Sequence, residues 1–162
     1  MIAVIRTPIG WIASHRMHHH HTDSKKDPHS AEHVGFWKVL FTTWDIPTIS
    51  PRYARDLFAN PRLVFCHNHW GKIWISIWVI SFIISPYFFV AFALVPFIFA
   101  KIGFGLLNTV GHKNGPSNVP WLNIFIAGEG YHKVHHQDSS QIRLHKWDTA
   151  GWISQRLFER GK

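Results

Sequence analysis

The chain has 162 residues, a formal charge of +8 with histidines neutral, 46% hydrophobic and 15% aromatic side chains, and one cysteine. That length suits one domain. The lone Cys66 excludes an internal disulfide and any thiolate-built zinc or iron–sulfur site, and reads as a small packing residue. The basic residues are scattered along the chain rather than clustered, which argues against a nucleic-acid surface.

Residues 1–34 are polar and hold seven of the 14 histidines. The opening MIAVIRTPIGWIAS is no secretory signal, because Arg6 and Pro8 interrupt its apolar residues. In SHRMHHHHTDSKKDPHS the run His18–His21 looks like an affinity tag, yet His15 precedes it and a polar, non-tag sequence follows. His15, His18 and His19 are spaced i, i+3, i+4, which puts them on one face of a helix. GFWKVLFTTWDI, Gly35–Ile46, is apolar and Trp-rich, and is expected to form a helix lying in a membrane interface. Residues 47–72 are polar and broken by prolines.

From Ile73 to Ala100 there is no charged residue. An apolar run beyond about 18 residues predicts a membrane span rather than a soluble core helix. The whole apolar region, Ile73 to Val110, fits two spans of about 19 residues with a tight turn near Pro86. Lys101 would snorkel from the second span. A polar tail follows from His112.

The tail repeats the first histidine spacing: EGYHKVHH gives His132, His135 and His136, with Glu129 one turn earlier. Between the clusters, NTVGH sets Asn108 and His112 at i, i+4. One H-x-x-H-H is a weak signal. Two copies with an N-x-x-x-H beside a span predict a metal site. The donors are nitrogen and oxygen, which leaves iron, zinc, copper, nickel and manganese open. Seven histidines are too many for one tetrahedral zinc and suit two ions. A nitrogen-rich pair of ions beside lipid points to oxygen chemistry on an apolar substrate, and so to iron. If both clusters bind the same ions they lie on one side of the membrane, so the chain between them crosses twice. Arg52, Arg55, Arg62 and Lys72 before the apolar region, with Lys101 and Lys113 in and after it, make that side the cytoplasm. The expected fold is therefore an all-α integral membrane protein, a transmembrane helical hairpin at about 73–110 with a cytosolic helical cap carrying the histidines.

HRMHH with TDSKKDPHS, NPRLVFCHNHW, NTVGH, GEGYHKVHH and KWDTAGW occur in this order over nearly the whole chain. In these motifs the sequence resembles the membrane-bound acyl-CoA (stearoyl-type) fatty acid desaturases. The resemblance implies one desaturase-like domain over 1–162. It implies that His15, His18, His19, His112, His132, His135 and His136 bind two non-haem irons and that Asn108 holds a metal through water. Glu129, beside the second cluster, invites a catalytic role but reads in preference as accepting the far N–H of a bound imidazole. The resemblance further implies an O2-dependent enzyme that inserts a cis double bond, most often at the ninth carbon, into a fatty acyl thioester or acyl-lipid. Electrons would come from ferredoxin or a small haem protein.

Arg16 is a candidate for an acyl carrier's phosphates. His20 and His21 read as solvated, His29 as structural in the DPH turn, and His67, His69 and His145 as interfacial. Trp121, Trp147 and Trp152 read as packing residues. The family's pattern also has an upstream H-x-x-x-x-H box and two further spans. The chain is accordingly expected to be the C-terminal part of such an enzyme. The alternatives are an inactive fragment, half of a split enzyme whose partner chain carries that box, a metal-binding membrane protein or single-iron relative without desaturase activity, or a related di-iron hydroxylase.

Overall fold

The computed structural model describes residues 6–43 and 48–158, which are helical with no strand among them. Helix α1 spans Pro8–His21; the Thr7 hydroxyl accepts from the Gly10 amide at 3.3 Å and Pro8 opens the first turn. Two short helices follow, α2 at Ala31–Val34 and α3 at Phe36–Leu40. Gly35, at φ +112°, separates them. The interfacial helix expected over Gly35–Ile46 is thus limited to α3 within the described residues, and Trp44, Asp45 and Ile46 lie outside them. Phe36, Trp37 and Phe41 are exposed.

Helix α4, Pro61–Asn68, is capped by Asn60, whose side chain accepts from the Arg62 and Leu63 amides. Helix α5 covers Trp70–Ile84. The chain turns at Ser85, whose hydroxyl accepts from the Tyr87 amide at 3.2 Å, and Pro86 starts α6, Pro86–Phe89. A π-helical turn, Val90–Leu94, leads into α7, Val95–Val110. The wide turn has a local cause: Pro96 cannot donate to the Phe92 carbonyl, and its ring crowds that carbonyl.

The stretch Pro86–Val110 is continuously helical over 25 residues, and its most apolar 18-residue window has a mean hydropathy of 2.2, long and apolar enough to cross a membrane. The α5 arm is shorter, at 15 residues. The sequence led us to expect two arms of similar length; the turn falls where expected, but the arms are unequal. They meet at Trp78, whose ring lies 5.3 Å from Phe97 and 5.9 Å from Phe89. Ser81, buried between them, donates to the Ile77 carbonyl at 2.6 Å, which meets its polar need without water.

The hydrophobic core around the first helices is small. Val39 is fully buried against Phe104, with Trp11, Ala31 and Val34 around them. This joins α1, α2 and α3 to the C-terminal half of α7. Gly105 allows it, because a side chain there would run into the Leu40 backbone. Three more α-helices follow among the described residues: α8 at Asn123–Ile126, α9 at His132–Gln137 and α10 at Thr149–Phe158. Asp148 fixes the last junction, accepting from the Leu144 amide at 2.9 Å and the Gly151 amide at 2.7 Å.

Candidate metal centre

Helix α1 turns His15, His18 and His19 to one face, as their spacing requires. Helix α9 does the same with His132, His135 and His136, and His112 follows the end of α7. The fold brings the three sets together in two groups. In the first, the Nε2 atoms of His15, His19 and His135 form a triangle with edges of 3.0, 3.1 and 3.2 Å. In the second, Nε2 of His112 lies 2.8 Å from His132, His132 lies 3.1 Å from His136, and His136 lies 3.2 Å from His18.

Two carboxylates set the orientation. His18 Nδ1 donates to both oxygens of Asp27 at 2.8 Å, and the pair is buried. His112 Nδ1 donates to Asp23 at 3.0 Å. A carboxylate only accepts, so the proton stays on Nδ1 and each Nε2 turns a lone pair into its group. Asp27 is itself held by the Asp23 amide at 2.8 Å and the His29 amide at 2.7 Å. Burial pushes the Asp27 carboxyl up, but the His18 hydrogen bond and charge and the two amides bring it below its ordinary value.

Six of the seven imidazoles are held toward the neutral form. Burial, then the neighbouring rings, pushes His15 down to about 2, His136 to about 2 and His19 to about 4. The same causes lower His132 and His112, and burial followed by His18 lowers His135. Neutral rings with free lone pairs are metal ligands.

The spacing fits an ion. At the ~2.0–2.1 Å of metal–imidazole bonds, ligands at right angles lie about 3 Å apart and tetrahedral ones about 3.4 Å apart. The triangle's edges match one face of an octahedron. One proton could satisfy one edge of such a triangle but not three, so a cation is the natural occupant. A face of three nitrogens leaves open positions for substrate oxygen, water or further donors.

Other expected residues take definite places. Asn108 is buried on α7 one turn before His112, and its amide donates to the Phe104 carbonyl at 2.8 Å. Glu129 makes no hydrogen bond to a histidine among the described residues. His132 Nδ1, one turn further on, is buried without a partner there. Arg16, a candidate for carrier phosphates, is instead paired with both oxygens of Asp56 at 2.7 and 2.9 Å and donates to the Tyr53 carbonyl. His29 is buried in the DPH turn, stacked 5.7 Å from Trp11. His20 and His145 are exposed, and His145 stacks 4.2 Å from Tyr131. Trp121, Trp147 and Trp152, expected to pack, are exposed. Sequence reading missed Asp23 and Asp27. Their signal was present, two acids at fixed spacing after the histidine run in TDSKKDPH, but only the fold shows which ring each one reaches.

Fold and centre together define an all-helical protein with a histidine cluster able to hold metal at the end of an apolar helix. The chain is 27% identical over 173 residues to the sn-1 stearoyl-lipid 9-desaturase of Anabaena variabilis, covering 94% of this chain and 62% of that protein. It is 30% identical to the sn-1 stearoyl-lipid 9-desaturase of Synechocystis, covering 86% of this chain and 48% of that protein. With the Delta-9 acyl-lipid desaturase 2 of Arabidopsis thaliana it shares 30% identity over 98% of this chain and 58% of the relative. No family model and no solved structure matches. The chain belongs to a fatty acid desaturase family, and it spans about half to three-fifths of the length of these relatives.

Proposed function

We propose that this chain carries a large part of the metal centre of an O2-dependent fatty acyl desaturase that inserts a cis double bond at the ninth carbon of a saturated chain. The observation that carries the reading is the convergence of seven imidazole Nε2 atoms into groups of four and three beside an apolar helix. The relatives' names support the reaction and the ninth-carbon position, and favour an acyl-lipid substrate over the thioester. Two irons, when bound, supply the O2 activation that an unactivated C–H bond requires. The reaction balances when one saturated chain, O2, two electrons and two protons give the alkene and two waters. The electrons come from ferredoxin or a small haem protein.

The chain's own residues prepare this chemistry. Asp23 and Asp27 fix the tautomers of His112 and His18. Burial favours the unprotonated form of the six rings other than His18, namely His15, His19, His112, His132, His135 and His136. Trp11, Val39 and Phe104 exclude water from one flank of the centre, with Trp11 stacked 5.4 Å from His15. Asn108, one turn before His112 on α7, would hold a metal through water. The exposed apolar arms sit in lipid, where the acyl substrate already is, and the basic residues around them put the histidines on the cytoplasmic side.

The test is metal analysis of the chain purified in detergent, beside His15→Ala and His132→Ala. The expectation is about two irons per chain, reduced in both variants. Product assays with acyl-lipid vesicles and reduced ferredoxin follow, with the chain alone and with a chain carrying an H-x-x-x-x-H box. A product two hydrogens lighter supports the reading, and dependence on the second chain assigns the remaining ligands to it. A product that has gained oxygen would replace desaturation by hydroxylation. Absence of stoichiometric metal under every condition would overturn the proposal.

A further inference from the structure

Three exposed tryptophans lie away from the metal centre: Trp121, Trp147 and Trp152. Trp121 leads into α8, where Ile124 is 74% exposed. The other face of α8 presses on α7. The Phe125 ring lies 5.3 Å from Phe99, and a side chain at Gly103 would collide with Ile126 and Phe125. Helix α8 therefore lies along the apolar helix at the level of Phe99–Gly103. That level also holds Lys101, the single charged residue between Ile73 and Val110.

Helix α10 adjoins α8, with the Ala150 amide donating to the Ala127 carbonyl at 3.0 Å. Gly151, Ser154 and Gln155 are the more covered positions of α10, while Trp152, Ile153 and Leu157 are exposed. Trp147 and Leu157 are each 69% exposed. Cations accompany the indoles: the Arg156 guanidinium lies 4.1 Å from the Trp152 ring and Lys146 Nζ lies 5.7 Å from the Trp147 ring. The two indoles flank a largely apolar groove of about 290 Å3.

Large apolar side chains mixed with Trp and snorkelling cations suit a headgroup layer, where rings meet acyl chains and cations meet phosphates. We infer that α8 and α10 form a lipid-facing shelf. Their exposed Trp, Ile and Leu side chains sit in the bilayer interface beside the Pro86–Val110 helix, and Lys146 and Arg156 pair with anionic headgroups. Continuity with the apolar helix through α8, and the charge of the flanking residues, select lipid as the occupant. The inference rests on reading Pro86–Val110 as a span and is independent of the metal chemistry.

The test places nitroxide labels, one at a time, by Ile153→Cys, Leu157→Cys, Phe92→Cys and Ser139→Cys in a Cys66→Ser chain. Each protein is reconstituted in phosphatidylcholine vesicles with and without phosphatidylglycerol. Accessibility to O2 and to a water-soluble nickel chelate is then read by electron paramagnetic resonance. Labels at 153 and 157 should lose nickel collisions and gain O2 collisions relative to 139, more so with phosphatidylglycerol. The variant Lys146→Glu/Arg156→Glu should abolish the phosphatidylglycerol effect. Nickel access at 153 and 157 equal to that at 139, with 92 remaining lipid-exposed, would overturn the shelf alone. Protection of 153 and 157 from both reagents would show protein covering the face and would also overturn it. Nickel access at 92 would overturn the span and the shelf together.

Discussion

The metal centre and the apolar arms are ordered by opposite means. In the centre, most buried polar atoms are matched by direction: two carboxylates to two Nδ1 protons and backbone amides to the Asp27 carboxylate, while His132 Nδ1 has no partner among the described residues and the Nε2 atoms converge in groups that could hold an ion. In the arms there is little to match. Ser81 and Ser85 satisfy themselves locally, and side chains such as Tyr87, 88% exposed, meet no protein. Position in the centre is therefore set by directional bonds, each of which can fail singly. Position in the arms rests on non-directional apolar contact, which tolerates exchange of one apolar residue for another.

The sharpest way to break this comparison is to remove one nitrogen. His19→Ala leaves two ligands in the three-nitrogen group, whereas His136→Ala leaves three in the other. We expect His19→Ala to lose one metal per chain entirely and His136→Ala to weaken binding more than it lowers the metal count. Elemental analysis after dialysis against a chelator reads the difference. Equal losses in both variants would mean that the two groups do not act as separate sites.

Acid comes next. The metal-free centre holds His15, His19 and His136 neutral at values of about 2 to 4, against 6.5 for an unburied ring. Below 6.5 the unfolded chain takes up protons that the folded chain refuses, so stability falls as pH falls. For the deeply buried His15 the slope approaches about 1.4 kcal/mol per pH unit, and the half-buried His19 and His136 add less because water screens them. Thermal unfolding of the metal-free protein in detergent should move to lower temperature between pH 7 and pH 5, and bound metal should oppose the loss. An unchanged midpoint over that range would show that the rings are hydrated and the centre is open.

The carboxylates test the matching more gently. Asp27→Asn keeps the shape but removes the charge that fixes His18, and metal affinity should fall by about 10–100-fold. Asp23→Asn should cost less, because the Asp23 carboxylate is 29% exposed and water can replace it. Competition with a metal-binding dye measures both. A larger loss at Asp23 would reverse the assigned order of the two supports.

What the sequence disclosed follows the same division. The repeated H-x-x-H-H spacing reports on helix faces, which are local, so it identified α1 and α9 and the rings they carry. The apolar run and Ser85–Pro86 are also local and marked the arms and the turn. Asp23, Asp27 and the exposure of Trp147 and Trp152 depend on which elements touch across the fold, and a spacing pattern carries no such information. The unequal arms likewise depend on where α4 gives way to α5, at His69 and Trp70, which an apolar run does not mark.

The smallest effect is expected where polar groups are matched but not buried. Arg16 and Asp56 form a two-pronged pair on the surface, and the guanidinium hydrogen bond holds the Asp56 carboxyl below its ordinary range. Water competes for both partners, and salt screens what attraction remains. Arg16→Ala should therefore leave metal content unchanged and shift the unfolding midpoint less than any substitution above, with the remaining shift disappearing in high salt. Arg16 neighbours His15 in sequence but points away to the turn at Tyr53, so proximity along the chain gives it no role in the centre. Loss of metal in Arg16→Ala would mean that the pair holds α1 in register for His15 and His19, and that the directional order of the centre reaches the solvent-exposed rim.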